Sequence, residues 1–325
     1  MGTPDFARSA LEKIIEAGHE VVLVVTQPDK PKGRSGELQV SEVKACAMEH
    51  DIPVFQPVRI KEQEHVRYLK GIDADIYVVA AFGQILSQEI LDIPRFGCVN
   101  IHASLLPKYR GAAPIQQAII DGEKVTGITI MQMAAGMDTG DILMQRAVEI
   151  PDDETGGSLF DKLSVLGGEL IVEALPLIEK GQITPVPQDE AKATKCGKLS
   201  KNMGKISFEK DAESIANLVR GLSPWPSAFT YLNKKMLKIW RAKALNKDEF
   251  EAVMLALSDE ESLAAADVIK TGECGRIVLV SKDSFTVLTG DGYLRIFEVQ
   301  LEGKKRMDVK SFLLGNKLAA GDKLG

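Results

Sequence analysis

The chain has 325 residues, of which 45% are hydrophobic and 26% charged, with a net charge of −6. These proportions suit a globular protein long enough for two domains. They exclude a membrane span, since no apolar run approaches the ~20 residues required, and the N-terminus lacks the basic region and apolar core of a secretory signal.

Four scattered cysteines (Cys46, Cys98, Cys196 and Cys274) form neither a disulfide framework nor a metal-ligand spacing. A reducing cytoplasm and no metal are expected. Residues 1–190 carry 17 Lys and Arg against 29 Asp and Glu, a net −12, whereas residues 191–325 carry 23 against 17, a net +6. A basic part following an acidic one is a hint of nucleic-acid contact. On charge alone, a solvated lysine-rich surface explains it equally well.

Residues 5–17 place Phe6, Leu11, Ile14 and Ile15 at helical spacing, and Gly18 stops the helix. Val21-Val22-Leu23-Val24-Val25 is a β-branched run of the kind buried on both faces of a parallel sheet. A Pro/Gly loop (28–36), a helix near 41–50, a strand at 53–56 and a helix near 61–71 lead to the buried strand Ile76–Ala81. Residues 97–101 form the next strand, 114–121 a helix, and 128–131 and 142–149 further strands. This alternation predicts an α/β, Rossmann-like, mostly parallel sheet with helices on both faces. A long helix follows at 158–180. The stretch 188–205 has little apolar periodicity and reads as a linker. Beyond a helix near 211–221, short runs at 228–232, 236–242, 276–280, 284–289 and 293–299, many separated by Gly turns, predict a small OB-like β-barrel. Trp225, between Pro224 and Pro226, is expected to pack inside its domain.

The chemistry concentrates in Asn100-Ile101-His102-Ala103-Ser104-Leu105-Leu106-Pro107 and, 36 residues after His102, in Gly136-Met137-Asp138-Thr139-Gly140-Asp141. Residues two apart on a strand share a face, so Asn100 and His102 project together. They would stand at a strand end, where ligands of α/β sheets bind. An amide NH2 can donate to an oxygen becoming negative. An imidazole can carry a proton either way, and a nearby carboxylate favours its charged form. The set suits acyl transfer. No Ser or Cys stands in a Gly-x-Ser-x-Gly elbow, so direct attack by an external amine is expected. A lone His is more often a satisfied core residue, and an Asp before Gly often only caps a turn; the grouping of the three favours chemistry.

At these residues the chain resembles the formyltransferases that use 10-formyltetrahydrofolate. Asn100-x-His102 with Ser104-Leu105-Leu106-Pro107, then Met137-Asp138-x-Gly140, carries the resemblance. Four further segments support it: Gly2–Ala7, Thr26–Arg34, Arg110–Gln116 and Pro224–Pro226. The second and third narrow it to the members that act on methionyl-tRNA, and the resemblance runs over essentially the whole chain.

The resemblance implies formyl transfer from 10-formyltetrahydrofolate to the free amino group of methionyl-initiator tRNA, in the cytoplasm, by a monomer with no membrane contact. It implies Asn100, His102 and Asp138 as the catalytic set, Ser104, Leu105, Leu106 and Pro107 along the folate pocket, and Lys30, Lys32 and Arg34 on a loop that enters the tRNA acceptor stem. Residues 1–187 would be the catalytic domain, 188–205 the linker and 206–325 an OB-like tRNA-binding domain. The chain departs from the family at Ser35-Gly36-Glu37, where relatives carry Lys or Arg, and this weakens the loop's positive charge. The alternatives are a folate-dependent formyltransferase acting on a small amine (glycinamide ribonucleotide or an amino sugar) and an inactive nucleic-acid-binding relative. Family members also carry a short apolar strand before Gly-Thr-Pro-Asp-Phe. The expectation is a start codon placed too late and, for the chain as it stands, an apolar groove beside strands that lack a partner.

Overall fold

The structure, a computed structural model, describes residues 1–31 and 38–325. The chain divides into two compact units. The first comprises Met1–Ile115, Val125–Glu149 and Ser158–Gly197; the second comprises Gln116–Lys124, Ile150–Gly157 and Lys198–Gly325.

The first unit is built on a four-stranded sheet in the order Tyr77–Val79, Cys98–His102, Val125–Gln132, Ile142–Glu149. Cys98–His102 is buried at every position, as a central strand should be. Ile142–Glu149 alternates partly buried with exposed residues towards its end, as an edge strand does. Tyr77–Val79 pairs parallel with Cys98–His102, and Val24–Val25 pairs parallel with Val54–Phe55. The two later pairings of the sheet are antiparallel. The expected α/β, Rossmann-like architecture is present, with parallel pairings on one side and two antiparallel strands added on the other. Residues 133–141 alone join the last two strands, too few for a parallel crossover, which takes about a dozen residues or more. Burial pushes the thiol of Cys98 up to about 12, so it behaves as a small apolar core residue.

The strands Val24–Val25 and Tyr77–Val79 do not pair with each other, and Met1 and Gly2 lie between them. Gly2 N–H donates to the Val25 carbonyl at 2.9 Å, and Ala80 N–H donates to the Met1 carbonyl at 2.9 Å, making one parallel bridge. A cavity of about 560 Å³ there is lined by Val21–Val25, Ile76–Val78, Ile14 and Ile178 together with charged residues such as Glu20, Asp73, Asp75 and Arg95. Residues 21–23, the start of the β-branched run, lie outside any strand pairing.

The second unit holds an antiparallel sheet in the order Ala228–Leu232, Lys235–Leu245, Tyr293–Leu301, Phe285–Leu288, Ile277–Val280, with Met307–Asp308 added beside Tyr293–Leu301. All five predicted runs are strands. Leu237, Ile239, Phe285, Val287, Leu294 and Ile296 form its core, with Ile215 and Val219 from the helix Ala212–Gly221. The sheet does not close strand to strand. Its two ends are joined by the last residues of the chain: Ile277 N–H donates to the Asp322 carbonyl at 2.8 Å, and Gly325 N–H to the Tyr231 carbonyl at 3.0 Å.

Two helices, Lys247–Met254 and Asp259–Thr271, stand where the sequence reading placed nothing. Each opens with a capping box, Asn246 with Glu249 and Ser258 with Glu261, a signal legible in the sequence. Phe250 of the first stacks on Tyr293 at 3.9 Å between ring centroids. The stretch from 188 read as a linker is structured, and residues through Gly197 belong to the first unit. Trp225 is 54% exposed, so the packing expected of it is not made. No helix among the described residues is long and apolar enough to cross a membrane.

Candidate active site

Asn100 and His102 lie on the central strand Cys98–His102, opposite Met131 and Thr129 of the antiparallel neighbour. Both are buried, and alternation along the strand puts them on one face. The His102 ring is fixed from one side: its Nε2 stands 2.9 Å from the Tyr109 carbonyl oxygen. A carbonyl only accepts, so Nε2 carries a proton and donates. That assignment leaves Nδ1 as the ring atom able to exchange a proton. Nδ1 faces Asp138, with Oδ2 at 3.8 Å, within ion-pair range but beyond a hydrogen bond.

Asp138 is itself held. Its Oδ2 accepts the Gly111 N–H at 2.8 Å, and its backbone is left-handed, with φ +53°. The Asn100 amide makes no hydrogen bond to any described residue. Sequence reasoning set these three residues together, and the structure brings all three to one place. The backbone partners at Tyr109 and Gly111 were not anticipated, since main-chain groups carry no sequence signal.

The loop after the strand is tied down by internal bonds. Thr129 Oγ donates to the Ser104 carbonyl at 2.6 Å, and Leu106 N–H donates to Thr129 Oγ at 3.1 Å. Gln145 Nε2 donates to the Leu106 carbonyl at 3.0 Å. The Ser104 hydroxyl donates to the Lys108 carbonyl at 2.7 Å, so it is used inside the loop. Leu106 is buried, while Leu105 and Pro107 are half-buried. Of the four residues expected along a folate pocket, Leu105 and Pro107 are thus partly accessible, and Ser104 and Leu106 are buried within the loop. Lys30 lies in a two-residue strand, Lys30–Pro31, paired antiparallel with Leu38–Gln39. Lys32 and Arg34 lie outside the described residues.

Gly111 has φ +126°, and a Cβ there would meet the Cys196 carbonyl oxygen at 2.1 Å. Arg110–Gly111 pairs parallel with Lys195–Cys196, which brings the two backbones this close. Gly111→Ala combines a disfavoured backbone with a contact no Cβ tolerates. It is expected to destabilise the protein by about 1–3 kcal/mol, read as a lower urea midpoint.

Residues 1–175 match the family profile described as "Formyl transferase", and residues 198–317 that described as "Formyl transferase, C-terminal domain". The class is thus a formyl transferase. The chain is 52% identical over 325 residues to "Methionyl-tRNA formyltransferase" of Lachnospira eligens, covering all of this chain and 98% of the relative. It is also 52% identical over 316 residues to the protein of that name from Agathobacter rectalis, covering 97% of this chain and 95% of the relative. The chain belongs to the methionyl-tRNA formyltransferase family. Among solved structures, the N-formyltransferase from Helicobacter canadensis, in complex with folinic acid and dTDP-3-aminofucose, superposes with a TM-score of 0.64 over 94% of this chain and 97% of that one. At 20% identity it shares the fold.

Proposed function

We propose that the protein transfers the formyl group of 10-formyltetrahydrofolate to the α-amine of methionine esterified to initiator tRNA, in the cytoplasm and as a monomer. The observation that carries the reading is the grouping on one strand face of a free Asn100 amide and a His102 ring, with Nδ1 turned to Asp138. Relatives at 52% identity over the whole chain, all named for this reaction, supply the substrate. The amine attacks the formyl carbon, and a new C–N bond forms as the bond to folate N10 breaks. Asn100 donates to the carbonyl oxygen as it becomes negative. His102 moves the proton lost by the amine through Nδ1 towards the departing nitrogen. Asp138 orients that ring. The half-buried Leu105 and Pro107 fit an apolar, ring-shaped donor, and residues 1–187 act as the catalytic domain.

Residues 206–325 bind the tRNA in this reading, aided by Lys30, Lys32 and Arg34. Phosphate contacts release counterions, so affinity for Met-tRNA is expected to fall steeply and linearly on a log–log plot against salt. Filter binding between 50 and 200 mM KCl checks this, and a flat line would remove tRNA phosphates from the binding account.

One assay decides the reaction. Purified protein receives 10-formyltetrahydrofolate with charged initiator tRNA, elongator Met-tRNA, free methionine, glycinamide ribonucleotide or an amino-sugar nucleotide. Formyl-methionyl initiator tRNA is the expected product. Formylation of a small amine without formylation of Met-tRNA would sink the reading.

A further inference from the structure

The turn that carries Asp138 is gripped by a residue far along the chain, in the stretch that the sequence reading took for a linker. Gln188 Nε2 donates to two carbonyl oxygens of that turn, Asp138 O at 2.9 Å and Gly140 O at 2.6 Å. One amide group thus spans the turn. The amide cannot rotate away, because its Oε1 accepts from Arg110 Nε at 3.0 Å. Arg110 is fixed in turn by a two-point pair with Glu190, at 3.0 Å and 2.7 Å. The guanidinium end is buried, with Arg110 5% exposed, while Glu190 is 72% exposed. The guanidinium holds the Glu190 carboxyl below the usual carboxylate range. A fork-on-carboxylate pair of this kind gives direction as well as attraction.

The turn needs such a grip. Asp138 has a left-handed backbone, φ +53°, which a non-glycine residue keeps only when its surroundings enforce it. At Gly140 the turn presses on the neighbouring strand so closely that a Cβ would lie 1.7 Å from the Gln132 carbonyl oxygen. Between these points the Asp138 carboxylate accepts the Gly111 N–H. Gly111 follows Arg110, the residue that holds Gln188, so one closed circuit links both walls of the site: Asp138 to Gly111, Arg110 to Gln188, and Gln188 back to Asp138.

We propose that Gln188 is a positioning residue for the formyl transfer, acting with Arg110 and Glu190 as a latch that aims the Asp138 carboxylate at His102 Nδ1. The inference rests on the reading of Asp138 under Proposed function. Gln188 touches no reacting atom, so its loss changes turnover and not substrate binding. Without the latch, Asp138 relaxes towards an ordinary backbone and its carboxylate drifts from the ring. A misplacement of about 1 Å in such a site costs up to about a hundred-fold in rate.

The experiment is a double-mutant cycle on the full chain with Gln188→Met, which keeps length and removes both amide functions, and Asp138→Asn. Expected for Gln188→Met alone is a kcat about ten- to a hundred-fold lower, with KM for both substrates within about two-fold. In the Asp138→Asn background the same substitution is expected to change kcat by less than about two-fold, because the group it serves is gone. An unchanged kcat for Gln188→Met, or an equal fall in both backgrounds, overturns the latch while leaving Asp138 in place. Wild-type turnover in Asp138→Asn alone overturns the reading of Asp138, and the latch with it. Should Gln188→Met fail to fold by thermal melting, Glu190→Gln at the exposed end of the circuit serves instead. It is expected to lower kcat in the same sense by a smaller factor, with the same dependence on Asp138, and an unchanged kcat there overturns the latch.

Discussion

His102→Ala is expected to lower kcat by about two to four orders of magnitude while the protein still folds. The ring shares a strand face with Asn100, and its Nδ1 faces the Asp138 carboxylate at 3.8 Å. Its orientation comes from the Tyr109 carbonyl, which holds Nε2 at 2.9 Å and leaves Nδ1 for the proton. Removing the ring takes away the proposed proton path without opening the sheet, because Ile101 and Val99 on the same strand keep their burial. The cost to stability is that of one hydrogen bond and a modest void, on the order of 1–3 kcal/mol. His102→Gln is the sharper variant, since it fills the space, can still donate to Tyr109 and cannot relay a proton. Single-turnover formylation of Met-tRNA separates the chemical step from tRNA binding. Rates near wild type in both variants would remove His102 from the mechanism.

Asn100→Ala is expected to lower kcat by about 10²–10³-fold, the usual loss for one oxyanion donor. The Asn100 amide has no partner among the described residues, although the residue is buried on a central strand. A buried amide kept for folding would be bonded to the protein, as the half-buried amide of Gln188 is. An amide without a protein partner on such a strand is open to a ligand, which is the role proposed for Asn100. Asn100→Ala should therefore leave the thermal midpoint within a few degrees of wild type, and Asn100→Asp, which keeps the shape but loses the donor, should be as inactive. Equal kcat for Asn100→Ala and wild type, measured at saturating donor and Met-tRNA, would defeat the assignment.

Several parts of the architecture were legible because they depend on local periodicity. The strands Ile142–Glu149 and Ala228–Leu232 fall where alternation or an apolar run placed them, and Cys98–His102 lies one residue from its expected bounds. The helices Lys247–Met254 and Asp259–Thr271 went unread although their capping boxes are written in the chain, because their apolar faces are short and broken by acidic residues. Helix–strand alternation pointed to the parallel pairs, but the direction of the later strands could not be read. A strand has the same alternation whichever way it runs, so the antiparallel placement of Val125–Gln132 beside Cys98–His102 emerged only from the folded sheet.

The site divides in the same way. Sequence alone singled out the proposed set, since an amide and an imidazole two residues apart on a strand must share a face, and the Asp138 segment completes a set recognisable by residue type and spacing. Tertiary structure decided how that set is aimed. Which ring nitrogen of His102 is free depends on the Tyr109 main chain; the turn of Asp138 depends on the main chain of Gly111 and on Gln188, 50 residues further on. Main-chain donors and acceptors are the same at nearly every position, so their use leaves no mark on the sequence, and only folding reveals which of them meet a side chain.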